Sequence, residues 1–162
     1  MKTKWLRTLL GYGLAILLVY VGFLIYSNDS EAPQLSDFAV GAPVYDGSSG
    51  QARIDFSGHI TDPRGIGSAE IHCIENGVSD FFIYVELYGS SKYLVSFGQV
   101  SGSFSWLGSW DGSASDLTFK GAGRLPASSE ATTCNWESRL KDSLGNYEVL
   151  DLGISTSIAA KP

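Results

Sequence analysis

A run without charge constrains this chain more than any other feature. No charged side chain occurs from Thr8 to Asn28, and Leu9 to Tyr26 reads LLGYGLAILLVYVGFLIY. A helix rises about 1.5 Å per residue and a hydrocarbon core is about 30 Å thick, so roughly 20 apolar residues can cross it. A helix buried in a soluble core would keep a polar face, and no turn of a helical wheel produces one here. The run also exceeds the roughly 7 to 15 apolar residues at the centre of a secretory signal. Its exit, Phe23-Leu24-Ile25-Tyr26-Ser27-Asn28, has no A-x-A cleavage pattern. The expectation is an uncleaved signal anchor over residues 8–28, with a cleaved signal as the alternative.

Lys2, Lys4 and Arg7 precede the run, while Asp29 and Glu31 follow it. The positive-inside rule therefore keeps residues 1–7 in the cytoplasm and sends the rest to the periplasmic or extracellular side. Beyond the run, residues 29–162 carry 8 basic and 17 acidic side chains, a balance of −9. A surface this acidic repels phosphate, which argues against nucleic acid as a partner. The 162 residues leave room for the anchor and one further domain.

Residues 29–36 are polar, contain Pro33 and have no periodicity, as a short linker would. After them the hydrophobic period is two. In Gln51 to Ile60, the residues Ala52, Ile54 and Phe56 alternate with Arg53 and Asp55. Ala69 to Cys73, Phe81 to Tyr88, Lys92 to Val100, Asp116 to Lys120, Thr132 to Lys141 and Tyr147 to Leu152 read as further strands. Between them lie Asp46-Gly47, Pro63-Arg64-Gly65, Asn76-Gly77, Asp111-Gly112 and Gly145-Asn146, which supply turn torsions. Seven or eight short strands so spaced predict an all-β antiparallel sandwich over residues 37–158.

Cys73 and Cys134 are the chain's two cysteines, and both lie on the exported side. Oxidising conditions there favour a disulfide over two buried thiols, and two thiols with His59 and His72 make a poor metal site.

Two stretches resemble the turn patterns of bacterial extracellular immunoglobulin-like domains. One is Phe56-Ser-Gly-His-Ile-Thr-Asp62-Pro-Arg-Gly65-Ile66, with a "D-x-x-G-I" corner. The other comprises Phe119-Lys-Gly-Ala-Gly-Arg-Leu125-Pro126, read as a "Leu-Pro" turn, then Leu140-Lys-Asp142-Ser-Leu-Gly145-Asn146-Tyr147, with "D-x-x-G-N". The resemblance covers roughly residues 36–155 and implies an adhesive, spacing or accessory module rather than an enzyme. The antibody pattern is incomplete, since Thr132 stands where a tyrosine would and no tryptophan follows Cys73 before Trp106. A bridge between neighbouring strands is therefore expected, not one between sheets.

Catalytic motifs such as G-x-S-x-G, H-E-x-x-H, a Walker loop and G-x-G-x-x-G are absent from the sequence. His59, before a turn, and His72, on a strand face, read as surface residues, and neither an enzyme nor a bound cofactor is expected. Trp106 and Trp110, flanking Leu-Gly-Ser and followed by Asp111, are the ligand-binding candidates, since rings beside a carboxylate can hold a sugar. The alternative is that both rings belong to the core. Asp111 and Asp116 bracket a small loop that is a weak calcium candidate, lacking the ligand density of a calcium loop. Asp62 and Asp142 read as turn residues. The expected function is recognition or assembly of a protein partner at the membrane surface, with polysaccharide binding as the alternative and a small hydrolase or enzyme subunit behind both.

Overall fold

The computed structural model describes residues 2–27, 31–48, 50–75, 78–88, 92–99, 104–105, 108–126 and 131–158. It divides into two units, Met1–Glu31 and Ala32–Pro162. In the first, one helix, α1 (Lys2–Ser27), takes in Lys2, Lys4 and Arg7 as well as the uncharged run as far as Ser27. Its side chains are exposed from Gly11 to Leu24, among them Tyr12, Ile16, Val19 and Phe23. That stretch rises about 21 Å. Among the described residues no helix is long and apolar enough to cross a membrane.

The second unit is an all-β, sandwich-like fold of antiparallel sheets. Its strands are β1 (Gln34–Val40), β2 (Val44–Asp46), β3 (Gln51–Thr61), β4 (Ile66–Glu75), β5 (Val78–Tyr88), β6 (Lys92–Gln99), β7 (Phe104–Ser105), β8 (Gly108–Ser113), β9 (Asp116–Pro126), β10 (Thr132–Asp142) and β11 (Tyr147–Ile158). One sheet has the order β1-β3-β9-β8, with β2 also on β3, and the other β11-β10-β4-β5-β6-β7. Each strand expected from alternation is present.

Alternation also explains the core. Ile54, Phe56 and Ile60 of β3, Ala69, Ile71 and Cys73 of β4, and Cys134, Trp136 and Leu140 of β10 are all buried. They join Leu117 and Phe119 of β9 and Ile83, Val85, Val95 and Phe97 of β5 and β6 in one cluster. Trp136 is 1% exposed, donates its indole N–H to Thr156 Oγ1 at 2.9 Å and meets Phe38 edge-on at 5.8 Å. The C-terminal half of β9 is glycine-rich because rings occupy the space its side chains would fill. A Cβ on Gly123 would lie 2.4 Å from the Phe97 ring, and one on Gly121 2.6 Å from that of Phe56. Leu125-Pro126, expected as a turn, is part of this strand, where Pro126 pairs with Gln51 and Leu125 with Ala52.

Cys73 and Cys134 form the disulfide, with Cα atoms 5.3 Å apart. They belong to β4 and β10, which pair directly, so the bridge staples one sheet as the departures from the antibody pattern implied.

Both Asp-x-x-Gly corners turn on a buried carboxylate. Asp62 Oδ1 accepts the N–H groups of Arg64 and Gly65 at 2.7 and 2.8 Å. Asp142 Oδ1 accepts those of Leu144 and Asn146 at 2.9 and 2.7 Å, and its Oδ2 accepts the Asn146 side-chain amide at 2.7 Å. Gly65 and Gly145 close the corners at φ of 105° and 98°, where a side chain would be strained. The corners also hold each other, since Ser143 donates its N–H to Gly65 O and its hydroxyl to Arg64 O. The β8–β9 turn joins them through Ile66 N–H to Ala114 O and Asp62 N–H to Ser115 O. Three turns from both sheets thus lock at one end of the sandwich.

Candidate functional site

Two surfaces carry side chains that this scaffold does not use for itself. The first is the outer face of the sheet built from β1, β3, β9 and β8. Facing outward are Ser36 of β1 and His59 of β3, register partners, with Asp116 on the diagonal where β9 begins, opposite Thr61. His59 Nε2 lies 2.7 Å from Asp116 Oδ1, and Nδ1 lies 3.3 Å from Ser36 Oγ. A carboxylate only accepts, so Nε2 carries the hydrogen and, in the neutral imidazole, Nδ1 is the acceptor facing Ser36. The His59 side chain is 29% exposed and that of Asp116 69%.

β1 is bent immediately beside this cluster. Its register on β3 shifts between Ser36 and Ala39, and Asp37 has φ of 51°, the one non-glycine residue among those described with positive φ. Asp tolerates that region better than most residues. A bulge of this kind takes its extra residue out of the ladder. Phe38, packed on Trp136, anchors the bend from the core side.

Along the same face a groove of about 630 Å³ opens over Ala39, Gly41, Ser57, Ser109 and Ala122. Small side chains form its floor. Lys120 projects between its register partners Ser57 and Ser109, and Arg53 pairs with Asp55 at 2.8 Å along the rim. That ion pair is 64% and 63% exposed, so it adds little to stability. Arg124 lies directly opposite Arg53, which leaves this face locally basic on an acidic chain.

The second surface is the hairpin of β10 and β11. Among the described residues β11 pairs with β10 alone and ends its sheet. Leu144, Tyr147, Val149 and Leu150 are 41 to 57% exposed. Leu150 has the parity of the buried Ser138 with which it pairs, so it points inward where the opposing sheet no longer covers it. Glu148 and Asp151 interrupt the apolar set, and Asp151 accepts the Gly153 N–H at 2.9 Å in a second bulge.

The residues singled out from sequence fare unevenly. Trp106 lies outside the described residues. Trp110, on β8, is half-buried and packed against the core. Asp111 is exposed and accepts the N–H of Gly112 at 2.9 Å. Asp116 is committed to His59, and among the described residues no group of three His, Cys, Asp or Glu could hold a metal. His72, expected on the surface, is 7% exposed because Phe82 packs on it at 5.7 Å and Glu70 Oε2 lies 3.0 Å from Nε2. Beside it Tyr84 is held above its ordinary pKa, first by burial and then by Glu86 and Glu70.

Sequence reasoning missed the Ser36, His59 and Asp116 cluster. Its members are 23 and 57 residues apart from His59, a spacing that belongs to no motif. The outward parity of His59 on β3 was the one available signal.

No family model matches the chain, and no curated protein matches it. Among solved structures it is similar to a crystal structure from Bordetella pertussis described as a candidate ApaA protein. Identity is 14%, the match covers 82% of this chain and 98% of that one, and the TM-score is 0.33. A likeness of that size carries no argument about fold or function.

Proposed function

We propose that this chain is a membrane-anchored, immunoglobulin-like recognition module that docks a protein partner on the β11 edge and the β10–β11 hairpin. The observation that carries the reading is the concentration of exposed apolar side chains, Leu144 in the turn and Tyr147, Val149 and Leu150 on a strand that, among the described residues, is open along one side. An uncovered edge of this length is a template for another strand, and proteins that do not use such an edge usually blunt it with lysine, proline or a covering loop. Glu148 and Asp151 stand among these side chains and the bulge around Gly153 interrupts the ladder, so the stretch offered for pairing is residues 147–151.

The immunoglobulin-like assignment draws support from two antiparallel sheets and from both Asp-x-x-Gly corners. The anchor draws support from the uncharged composition of residues 8–28 and the basic residues before it. In this reading residues 1–7 are cytoplasmic and the sandwich stands on the far side of the membrane.

A photo-cross-linking amino acid placed at Val149 of the full chain in its native membrane tests the docking. The expected result is one defined adduct that is absent when the probe sits at Thr118, on the opposite sheet, and that disappears with Leu150→Lys. Equal adduct patterns from Val149 and Thr118 would reject the β11 edge. Release of the chain from membranes by alkaline carbonate would reject the anchor.

A further inference from the structure

We propose that Ser36 is an acylatable nucleophile, with His59 Nδ1 as its base, Asp116 as the residue that holds the imidazole, and small carboxylic esters as the substrate class. This goes beyond the docking reading and does not rest on it. Three observations on the outer sheet face converge. Ser36 Oγ is 3.3 Å from His59 Nδ1, within the looser range seen for such pairs without substrate. In the neutral imidazole the 2.7 Å contact of Nε2 with Asp116 puts the hydrogen on Nε2 and leaves Nδ1 as acceptor toward the serine, the roles of a Ser-His-Asp triad with the two ring nitrogens exchanged. The bulge sets Asp37 at a φ of 51° immediately after Ser36. Positive-φ residues and bulges collect where a side chain or an N–H is re-aimed.

The chemistry balances without a cofactor. Ser36 Oγ attacks the ester carbonyl carbon as its proton passes to His59 Nδ1. Negative charge grows on the carbonyl oxygen, and the N–H of Asp37, the residue that follows the nucleophile in the bulge, is the donor assigned to it. The bond to the alcohol oxygen then breaks, and that oxygen takes the proton from Nδ1. Water adds to the acyl carbon in the second half, gives its proton to Nδ1, and Ser36 recovers its own as the carboxylic acid leaves. The neighbouring groove, floored by Ala39, Ser57 and Ala122, offers room for the acyl chain.

The test uses the full chain in detergent with p-nitrophenyl acetate and a fluorophosphonate probe. Expected are a burst of nitrophenolate, an adduct located by peptide mass spectrometry on Ser36, and no burst from Ser36→Ala. Replacing the base in His59→Gln lowers the acylation rate by about a hundredfold or more. Asp116→Asn keeps the size and a hydrogen bond but donates to Nε2, so it favours the other tautomer. Its acylation rate falls as far as that of His59→Gln while its melting temperature stays at the wild-type value, which a merely structural role for Asp116 would not produce. Ser157→Ala, at an exposed position of β11 in the other sheet, keeps the wild-type rate. An adduct on any serine other than Ser36, an unlabelled wild type, or full labelling in a correctly folded Asp116→Asn would overturn the assignment.

Discussion

Removing the Asp142 carboxylate tests most directly how the sandwich closes its end. The side chain is 1% exposed and accepts three hydrogen bonds, two from backbone N–H groups and one from the Asn146 amide. A hydrogen bond to a charged acceptor contributes about 1.5–3 kcal/mol, and a buried donor left unmet costs about 1–3 kcal/mol. In Asp142→Ala the exposed Leu144 can surrender its N–H to water, whereas that of Asn146 is partly enclosed. A loss of about 3–4 kcal/mol follows, from a total of order 10 kcal/mol for a domain of this size. Asp142→Asn retains one acceptor oxygen for both backbone donors and loses the charge and the Asn146 amide bond, so it costs about 1–2 kcal/mol. Urea unfolding of residues 32–162, followed by tryptophan fluorescence, measures both. With a slope near 2 kcal/mol/M the alanine variant shifts the midpoint down by about 1.5–2 M at unchanged slope. A loss below about 1 kcal/mol in the alanine variant would mean that water replaces the carboxylate freely, and the interlocked corner would not be a source of stability.

Four other outcomes follow from the same geometry. Gly123→Ala puts a Cβ 2.4 Å from the Phe97 ring, so it should lower the melting temperature by an amount matching about 1–3 kcal/mol, whereas Gly47→Ala, in open space, should move it little. The Cys73→Ala, Cys134→Ala double variant opens a loop of 61 residues and should lose about 4 kcal/mol in the same urea assay. Trp136→Phe removes the indole bond to Thr156 and leaves a buried gap, at about 2–3 kcal/mol by calorimetry. Tyr84 binds its proton more tightly folded than unfolded, so its contribution to stability is complete below about pH 10 and is lost as pH rises through the raised folded value. Ultraviolet titration should show Tyr84 ionising late, and Glu86→Gln should bring it earlier.

The strands that the sequence displays are those whose two faces differ: β3, β4, β5 and β10 alternate because one side is core and the other is not. β1 hides because Asp37 inserts a residue into the alternation, so Leu35 and Phe38 reach the core three apart instead of two. β8 and the second half of β9 hide for another reason. Their composition is that of turns, yet Gly121 and Gly123 are there to admit Phe56 and Phe97, information that resides in the opposite sheet and not in the local sequence. The corners were legible since an Asx turn is local chemistry, and the disulfide since the chain has two cysteines, both at core-facing strand positions. The partial burial of Trp110 depends on which side of β8 meets the core, and the segment expected to hold two sugar-stacking rings gave no pattern to decide that.

The same distinction governs where function can be read. A surface that binds through a strand edge needs no special residue, only a strand left unpaired, and sequence does not say which strand ends a sheet. A surface that does chemistry needs particular atoms, but here Ser36, His59 and Asp116 come from three strands made neighbours by topology. Both depend on β3 being central in its sheet and β11 being last in the other. The bulge at Asp37 connects local and global structure: a strained torsion persists only where neighbours hold it, and Phe38 against Trp136 is that hold. Phe38→Ala, which loosens the bend without touching Ser36, His59 or Asp116, should therefore weaken Ser36 acylation by more than its cost in stability accounts for. If labelling of the folded Phe38→Ala variant equals that of the wild type, the bulge does not position the serine.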